Sequence, residues 1–382
     1  MRQEWEQKEL GDVCKFQRGL TYSKRDEVEL SSNCVLRANN VSLETGKLDL
    51  SELKYISDNI EVPENKKVKK GGLLICTASG SRCHLGKTAL IKENENFIFG
   101  GFMGLLMPSS QLLPKFIQHF CRSRAYVDFI SSLSEGTNIN NLKWTQLKQI
   151  KIPLPPIEEQ QRIVKILDEA FAELETARSN VAANLESSKE LFRASIVSLF
   201  NSLKESDLIF KPLNEIAQIA TGKRNANHAC IDGKYRFYTC AEEYFFSNTK
   251  RFSGNCLILP GNGANVGKVF YYDGEFDAYQ RTYVIYDIEI SPKFLYYNLF
   301  AFWEKANRKK QYGSATNYIK IGNFHDYHVG VPSPSIQNRV VGDINTIHAE
   351  ADRLQQEYTT QLADFDELRQ SLLQKAFAGE LT

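Results

Sequence analysis

The feature that most constrains this chain is a segment pattern that returns after about half of its length. A Thr-Asn pair at 137–138 precedes a Pro-rich segment at 150–157, and a second Thr-Asn pair at 316–317 precedes a similar segment at 329–336. The interval is 316 − 137 = 179 residues, whereas solenoid repeats have periods of about 20–50 residues. The chain is therefore predicted to contain two copies of one module, a layout suited to a ligand with two parts.

A shorter pattern near the start of each copy supports the same interpretation. Four residues share one spacing in both copies, namely Leu10, Val13, Phe16 and Gly19 in the first and Leu213, Ile216, Ile219 and Gly222 in the second.

Length and composition are those of an ordinary globular protein with several domains. The 382 residues favour two or three domains, and 42% of them are apolar. The first residues lack the apolar core of a signal peptide, and no stretch is apolar enough to cross a bilayer. None of the eight cysteines forms a Cys-x-x-Cys pair, so we expect reduced thiols, a cytoplasmic location, and no metal or other cofactor.

The net charge of +1 conceals an uneven distribution along the chain. Residues 1–150 hold 21 basic and 17 acidic side chains, and residues 206–331 hold 15 and 12, so both globules lean basic. The helical segments lean acidic, with 7 basic and 9 acidic side chains in residues 151–205, and 4 basic and 8 acidic in residues 332–382. Ordinary solvated faces would explain these modest excesses, but basic globules beside acidic helices also suit a nucleic-acid ligand on the globules.

Each copy has the pattern of a mixed α/β globule. Short apolar runs predict strands at 73–77 and 88–91 in the first copy and at 256–259 and 269–272 in the second. A helix is predicted to follow at 114–130 and at 292–309.

A Pro-rich hinge and then a long helix follow each globule. The hinge prolines force extended backbone; they are Pro153, Pro155 and Pro156 in the first copy and Pro332 and Pro334 in the second. The second helix carries a heptad pattern with Ile344, Ala351, Tyr358, Phe365 and Leu372 at a, and Ile347, Leu354, Gln361, Leu368 and Lys375 at d. Eight of these ten are apolar, which is typical of a coiled coil. The first helix has a weaker stripe, from Ile163 to Val181 and again from Leu191, and needs a partner.

The predicted fold class is α+β, with two mixed α/β domains separated by two long helices that form an antiparallel coiled coil with pseudo-two-fold symmetry. The predicted boundaries are 1–152 for the first domain, 153–205 for its hinge and helix, 206–331 for the second domain and 332–382 for its hinge and helix. An arrangement in which each helix folds back onto its own globule remains an alternative.

Glycine-rich loops match a phosphate-binding P-loop only in part. Five residues, not four, separate Gly80 from Gly86, and no Ser or Thr follows Lys268 in the other copy. We interpret both loops as tight turns that present contact side chains. No Asn/Asp-Pro-Pro-Tyr/Phe motif, cofactor fingerprint or catalytic triad pattern stands out in the chain.

Four segments match a known family pattern. They are Leu-Arg-Ala-Asn-Asn-Val at 36–41, Gly-Lys at 86–87, Ile-Pro-Leu-Pro-Pro-Ile-Glu-Glu-Gln-Gln-Arg-Ile at 152–163 and the closing segment at 368–381. Together with the two-copy layout, they make the chain resemble the specificity subunit of type I restriction–modification systems over essentially its whole length. The chain departs from the family in having Thr-Asn where Thr-Gln is common, and in a less regular second hinge.

The resemblance implies a non-catalytic subunit with two target-recognition domains, each of which reads one half of a bipartite site in double-stranded DNA while the helices set the spacing. It implies as partners two adenine methyltransferase (M) subunits docked on the helices and, in the full complex, restriction (R) subunits, and no membrane. The alternatives are a specificity subunit of a related restriction class, a stand-alone restriction or methylating enzyme, and a coiled-coil scaffold that does not bind DNA.

Candidate DNA contacts are chosen by loop position and by side-chain type, because donors and acceptors on loops can read base edges. In the first domain they are Arg37, Asn39, Asn40, Ser79, Ser81, Arg82 and His84. In the second domain they are Lys223, Arg224, Asn225, Asn262, Asn265 and Arg281. Lys87 and Lys268 are assigned to phosphate contacts or to structural roles.

Overall fold

The computed structural model describes residues 5–134, 141–308 and 317–381. The Thr-Asn pair at 137–138 and Thr316 lie outside these residues. The chain forms two compact units: unit 1 is Met1–Asn180 with Gln361–Thr382, and unit 2 is Val181–Thr360. Each unit therefore combines one globule with parts of both long helices.

Unit 1 contains a four-stranded antiparallel sheet, a second four-stranded sheet and a two-stranded pair. Its elements are β1 Glu6–Glu9, α1 Leu10–Val13, β2 Cys14–Arg18, β3 Glu27–Val28, β4 Asn33–Leu36, β5 Lys54–Ile56, β6 Leu73–Cys76, β7 Thr88–Leu90, β8 Phe97–Phe99, β9 Met103–Pro108, α2 Pro114–Phe120, α3 Arg124–Ser134, α4 Trp144–Lys148, β10 Lys151–Leu154 and the start of α5 Ile157–Asn201. The strand orders are β2-β9-β6-β7, β3-β5-β4-β8 and β1-β10. The helix predicted at 114–130 is interrupted between α2 and α3.

Within its described residues, unit 2 repeats this topology with one edge strand fewer. Its elements after α5 are β11 Ile209–Pro212, α6 Leu213–Ile216, β12 Gln218–Thr221, β13 Tyr235–Tyr238, β14 Phe245–Ser247, β15 Asn255–Pro260, β16 Phe270–Asp273, β17 Phe276–Ala278, β18 Thr282–Tyr286, α7 Pro292–Asn307, α8 Ile321–His325, β19 His328–Val331 and α9 Pro334–Phe377. The strand orders are β12-β18-β15-β16, β14-β13-β17 and β11-β19. The same strands pair in the same order, which confirms the duplication inferred from the sequence.

The two long helices run antiparallel inside each unit. In unit 1, Arg178 of α5 pairs with Asp366 of α9 at 2.6 Å, and Arg162, earlier in α5, donates to the backbone carbonyl of Leu381, 2.8 Å away. In unit 2, the ring of Phe192 of α5 packs against that of His348 of α9 with centroids 4.9 Å apart. The antiparallel helix pair predicted from the heptads is confirmed.

The predicted heptad is wrong in its detail near the end of α9. Leu368 is 47% exposed and Lys375 is exposed, whereas Leu373 and Ala376 are buried in the core of unit 1. This part of α9 packs into a globule, and an α-helix of period 3.6 drifts away from a strict 3.5-residue repeat. Leu191 of α5 is likewise 66% exposed, although the predicted stripe resumed at that residue.

One phenylalanine from a long helix enters the globule of each unit. Phe377 of α9 packs edge-on against Phe116 of α2 in unit 1, and Phe200 of α5 packs against Phe294 of α7 in unit 2. Both ring-centroid distances are 5.1 Å. The last part of α9 in unit 1 is thus equivalent to the last part of α5 in unit 2.

A buried glutamine fixes the start of each long helix to its globule. In unit 1 the side-chain carbonyl of Gln160 accepts from the backbone N–H of Leu113 at 2.8 Å, just before α2. Its amide N–H donates to the carbonyls of Gln111 and Pro155 at 2.8 and 2.9 Å. This glutamine clamp satisfies backbone groups that would otherwise be buried and unpaired.

Unit 2 contains the same clamp. Gln337 accepts from the backbone N–H of Ser291, just before α7, and donates to the carbonyl of Pro332, both at 2.9 Å. The second hinge has a less regular sequence than the first, yet it keeps the hydrogen bonds that join helix to globule.

A second contact between helix and globule is charged in unit 1 and neutral in unit 2. His119 of α2 bonds to Asp168 of α5 at 3.0 Å, and Lys115 pairs with the same carboxylate. At the equivalent place, the Tyr297 hydroxyl donates to the side-chain carbonyl of Asn345 at 3.1 Å. The hydrogen bond from His119, with Lys115 nearby, lowers the pKa of Asp168 to about 2.

Replacing Gln160 with leucine should destabilise unit 1 by about 2–3 kcal/mol, because it leaves the partly buried Leu113 N–H and the buried Pro155 carbonyl without partners. The neighbouring exposed residue provides the control, so Gln161→Leu should change stability by less than about 0.5 kcal/mol. Chemical denaturation of the full chain measures both variants. Equal effects of the two substitutions would contradict the clamp.

The Asp168→Asn variant should be less stable than the parent at neutral pH, by about 1 kcal/mol since the carboxylate is partly exposed. The folded pKa of Asp168 lies below its ordinary value of 3.8, so its stabilisation is present above that value and is lost as the pH falls from 3.8 towards 2. The stability difference between parent and variant should therefore shrink in that window. Asn345→Ala serves as the neutral control, whose effect should not follow this pH dependence.

Candidate nucleic-acid interface

Two loops lie side by side in each unit, and we call them the paired loops. In unit 1 they are residues 77–87, after β6, and residues 100–102, between β8 and β9; the Thr77 N–H donates to the Phe102 carbonyl at 2.9 Å. In unit 2 they are residues 261–269 and 279–281, and the Gly261 N–H donates to the Arg281 carbonyl, also at 2.9 Å. Both units thus present two adjoining turns on one backbone framework.

A repeated glycine lets a third segment approach these turns. A Cβ atom at Gly19 would lie 1.9 Å from the Gly100 carbonyl oxygen, and one at Gly222 would lie 1.9 Å from that of Ala278. Only glycine permits so close a backbone approach. The spacing marker that ends in Gly19 and Gly222 therefore has a physical cause.

In unit 2 the paired loops enclose a cavity of about 390 Å³. It brings together the predicted contacts Asn262 and Arg281, and its polar lining also includes Thr221, Gln280 and Tyr318. Asparagine and glutamine amides suit adenine, and a guanidinium suits the O6 and N7 acceptors of guanine. The cavity offers the hydrogen-bonding groups needed to read base edges.

The other predicted contacts of unit 2 do not line this cavity. Lys223 and Asn225 are exposed nearby, while Arg224 lies 3.5 Å from the buried carboxylate of Asp277. Asn265 donates to the Cys240 carbonyl at 2.9 Å, and Lys268 pairs with Glu242 at 2.9 Å.

In unit 1 the loop at 77–87 carries Ser79, Ser81, Arg82 and His84. Ser79 accepts from the Ser81 N–H at 3.2 Å, which shapes the turn. Arg82 is exposed and His84 is half-buried. Arg82 and Lys87 face a separate cavity next to α9, and burial lowers the pKa of Lys87.

The predicted contacts around residue 40 divide between surface and core. Asn40 is 1% exposed; it accepts from the Arg37 N–H at 2.9 Å and donates to the carbonyls of Asp49 and Glu52 at 2.9 and 2.8 Å. Its hydrogen-bonding groups are already used inside the fold, so we leave Asn40 out of the interface. Asn39 is exposed beside it.

Phe102 is a further candidate contact, which a selection based on polar side chains does not include. It is 73% exposed and occupies the position in unit 1 that Arg281 occupies in unit 2, as the matching loop hydrogen bonds indicate. The sequence contained the signal, since the interval of 179 residues between the repeats also separates position 102 from position 281. An exposed phenylalanine suits apolar contact with a thymine methyl group.

Within the described ranges, no group of three or more His, Cys, Asp or Glu residues could hold a metal ion. No helix in those ranges is long and apolar enough to cross a membrane. Burial raises the pKa of Cys76 to about 11 and that of Cys256 to about 12, so these thiols are poor nucleophiles.

Comparison with known proteins agrees with the fold and with the duplication. The family model for the type I restriction modification DNA specificity domain matches residues 2–184 and 205–362. The specificity subunit of type I restriction enzyme EcoKI from Escherichia coli K12 is 27% identical, with 96% of this chain and 86% of that protein covered. The StySPI specificity subunit from Salmonella potsdam is 26% identical, with 99% and 89% covered.

Solved structures show the same fold at low sequence identity. A chain from a study of complex assembly and conformational transition in the type I R-M system aligns with a TM-score of 0.77 at 18% identity, covering 99% of this chain and 98% of that one. Since the family model matches most of the residues in two copies, the chain belongs to the type I restriction–modification DNA specificity family.

Proposed function

We propose that this chain is a non-catalytic subunit that recognises double-stranded DNA, with each globule reading one half of a bipartite site. The observation that carries the proposal is the pair of equivalent loop sets on one framework, with different side chains at equivalent positions. Phe102 and Arg281 are the clearest such pair. A shared framework with divergent tips suits two half-sites of different sequence.

The chemistry of the tips supports readout in the major groove. Arg281 and Asn262 offer a guanidinium and an amide around one cavity, and these groups pair with guanine and adenine edges. In the first domain Ser81, Arg82 and Asn39 add exposed polar groups. The globules, predicted at 1–152 and 206–331, also carry the basic excess expected for contacts with phosphates.

We further propose that the long helices dock two methyltransferase subunits, which supply the chemistry. Leu191 and Leu368 are exposed on α5 and α9, and they stand nine residues before Phe200 and Phe377, the two equivalent core phenylalanines. A single exposed leucine needs no explanation. The same exposed leucine at equivalent places in the two units suits two copies of one partner.

The decisive experiment is to co-express the chain with its methylating partner and to map adenine methylation across a genome. A two-part motif with a fixed unread gap supports the proposal. A contiguous motif, or no motif, would contradict it and would favour a related restriction class or a scaffold that does not bind DNA.

Changes at the paired loops should affect one half of the motif at a time. Arg281→Ala should reduce DNA retention by about 10-fold to 100-fold and relax specificity at one position of one half-site, since a bidentate guanine contact is worth about 1–3 kcal/mol. Phe102→Ala should alter the other half-site only. The methylation map measures both, with Arg353→Ala on the surface of α9 as the control. A variant that changes both halves equally would argue against separate readout.

A negative charge at either exposed helix leucine should prevent one methyltransferase subunit from docking. Leu191→Glu and Leu368→Glu should each leave one methyltransferase subunit bound, and the double variant none, because a carboxylate cannot be buried unpaired in an apolar contact. Native mass spectrometry gives the subunit ratio. Leu30→Glu is the control, since Leu30 is also exposed but lies in the first globule. Two bound subunits in the double variant would rule out this docking site.

A further inference from the structure

A second cavity, of about 590 Å³, lies inside unit 1. The loop at 82–88, the turn between α2 and α3, and α9 form its walls. Its volume is in the range of small-ligand sites. Its lining includes five cationic side chains, and the DNA-reading role proposed above uses only one of them, Arg82.

Two arginines in this cavity have no carboxylate partner. Arg122 donates to the backbone carbonyl of Glu44 at 2.7 Å, and Arg369 stacks over the ring of Phe171 at 5.0 Å with its Nε buried and unbonded. In the described part of the chain, neither guanidinium takes part in an ion pair. Of the carboxylates nearby, Glu44 and Asp366 both pair with Arg178 at 3.4 and 2.6 Å, while Glu175 is close enough to affect the pKa of Arg122.

Burial and a neighbouring cation both affect Arg122. Burial and then the neighbouring Arg369 lower the pKa of Arg122 to about 10, with Glu175 acting in the opposite direction. Two like charges in a partly desolvated site repel each other, and an anion between them would relieve that repulsion.

Unit 2 shows that the fold does not need these arginines. Arg122 stands eight residues after Pro114, and Phe300 stands eight after Pro292, where the equivalent helices begin. On the long helices, Arg369 and Phe192 each stand eight residues before the equivalent phenylalanines of the core.

In unit 2 two phenylalanines occupy the equivalent place, and the arginine beside them, Arg193, is paired with Glu304. The rings of Phe192 and Phe300 are 6.0 Å apart, and Phe192 also packs against the ring of His348 at 4.9 Å. The stack of Arg369 on Phe171 occupies the same place in unit 1 that the contact of Phe192 with His348 occupies in unit 2. Aromatic side chains at these positions are therefore sufficient for the fold. A bound ligand would explain why unit 1 has arginines there.

From the two unpaired guanidinium groups and the cavity that they face, we propose that unit 1 contains a phosphate-binding site. Planar guanidinium groups match phosphate oxygens in pairs, and Arg82 and Lys87 add positive charge from the loop side. The phosphate is carried either by the DNA backbone beside the half-site or by a free phosphate compound. Phosphate from the DNA backbone would depend on the function proposed above, whereas binding of a free phosphate compound would not.

The first test uses the full chain and pyrophosphate. The midpoint of thermal unfolding should rise with pyrophosphate at constant ionic strength if the site takes free phosphate, and Arg122→Gln/Arg369→Gln should abolish the rise. Arg122→Phe/Arg369→Phe, which installs the residues of unit 2, tests the same loss if the first variant folds poorly. Arg124→Gln/Arg353→Gln removes the same charge from exposed helix positions and should keep the rise.

The second test uses the complex with the methylating partner and duplex DNA. If the backbone is the source, the arginine variants should bind every sequence about 10-fold more weakly, and the slope of log affinity against log salt should fall by about one to two, with the methylated motif unchanged. An altered motif would assign the arginines to base readout and overturn the phosphate site. If the arginine variants and the control variant have the same pyrophosphate response and the same salt slope, the phosphate site does not exist. A complex that binds no DNA at all contradicts the proposed function instead.

Discussion

The structure depends on the buried glutamine at the start of each long helix. Gln160 and Gln337 tie the first turn of α5 and of α9 to the residue that precedes α2 or α7. A side-chain amide with its hydrogen bonds made inside the core has one orientation, and it transmits that orientation to both elements. The angle between helix and globule is therefore set by a few directed hydrogen bonds, on top of the non-directional burial of apolar side chains.

The sequence was sufficient to predict the duplication, the strand-and-helix order and the antiparallel helices, because repeated segments and apolar periodicity can be read directly from the order of residues. It misplaced the seam of α9 at Leu368 and Lys375, since a heptad count assumes one helical partner and this segment packs into a globule. Loop contacts were harder still. Asn40 has the side chain of a DNA contact, but its neighbours in space already bond to its carbonyl oxygen and to both of its amide hydrogens.

Equivalent positions in the two units carry side chains of different chemistry. A His–Asp contact in one unit is a Tyr–Asn contact in the other, and Arg122 and Arg369 correspond to two phenylalanines. What the framework requires at these places is a side chain of suitable length and shape. Each copy is thereby free to differ in charge, and the two units need not share one response to salt or to pH.

Unit 1 is assembled from both ends of the chain, whereas unit 2 is one continuous segment. Leu373 and Ala376, close to the last residue, lie in the same core as Leu10 and Phe116. During synthesis on the ribosome, the core of unit 1 is therefore completed only by residues that are made after the whole of unit 2. A premature stop codon after residue 360 would remove Leu373 and Ala376 from the core of unit 1 and would leave every residue of unit 2 in place.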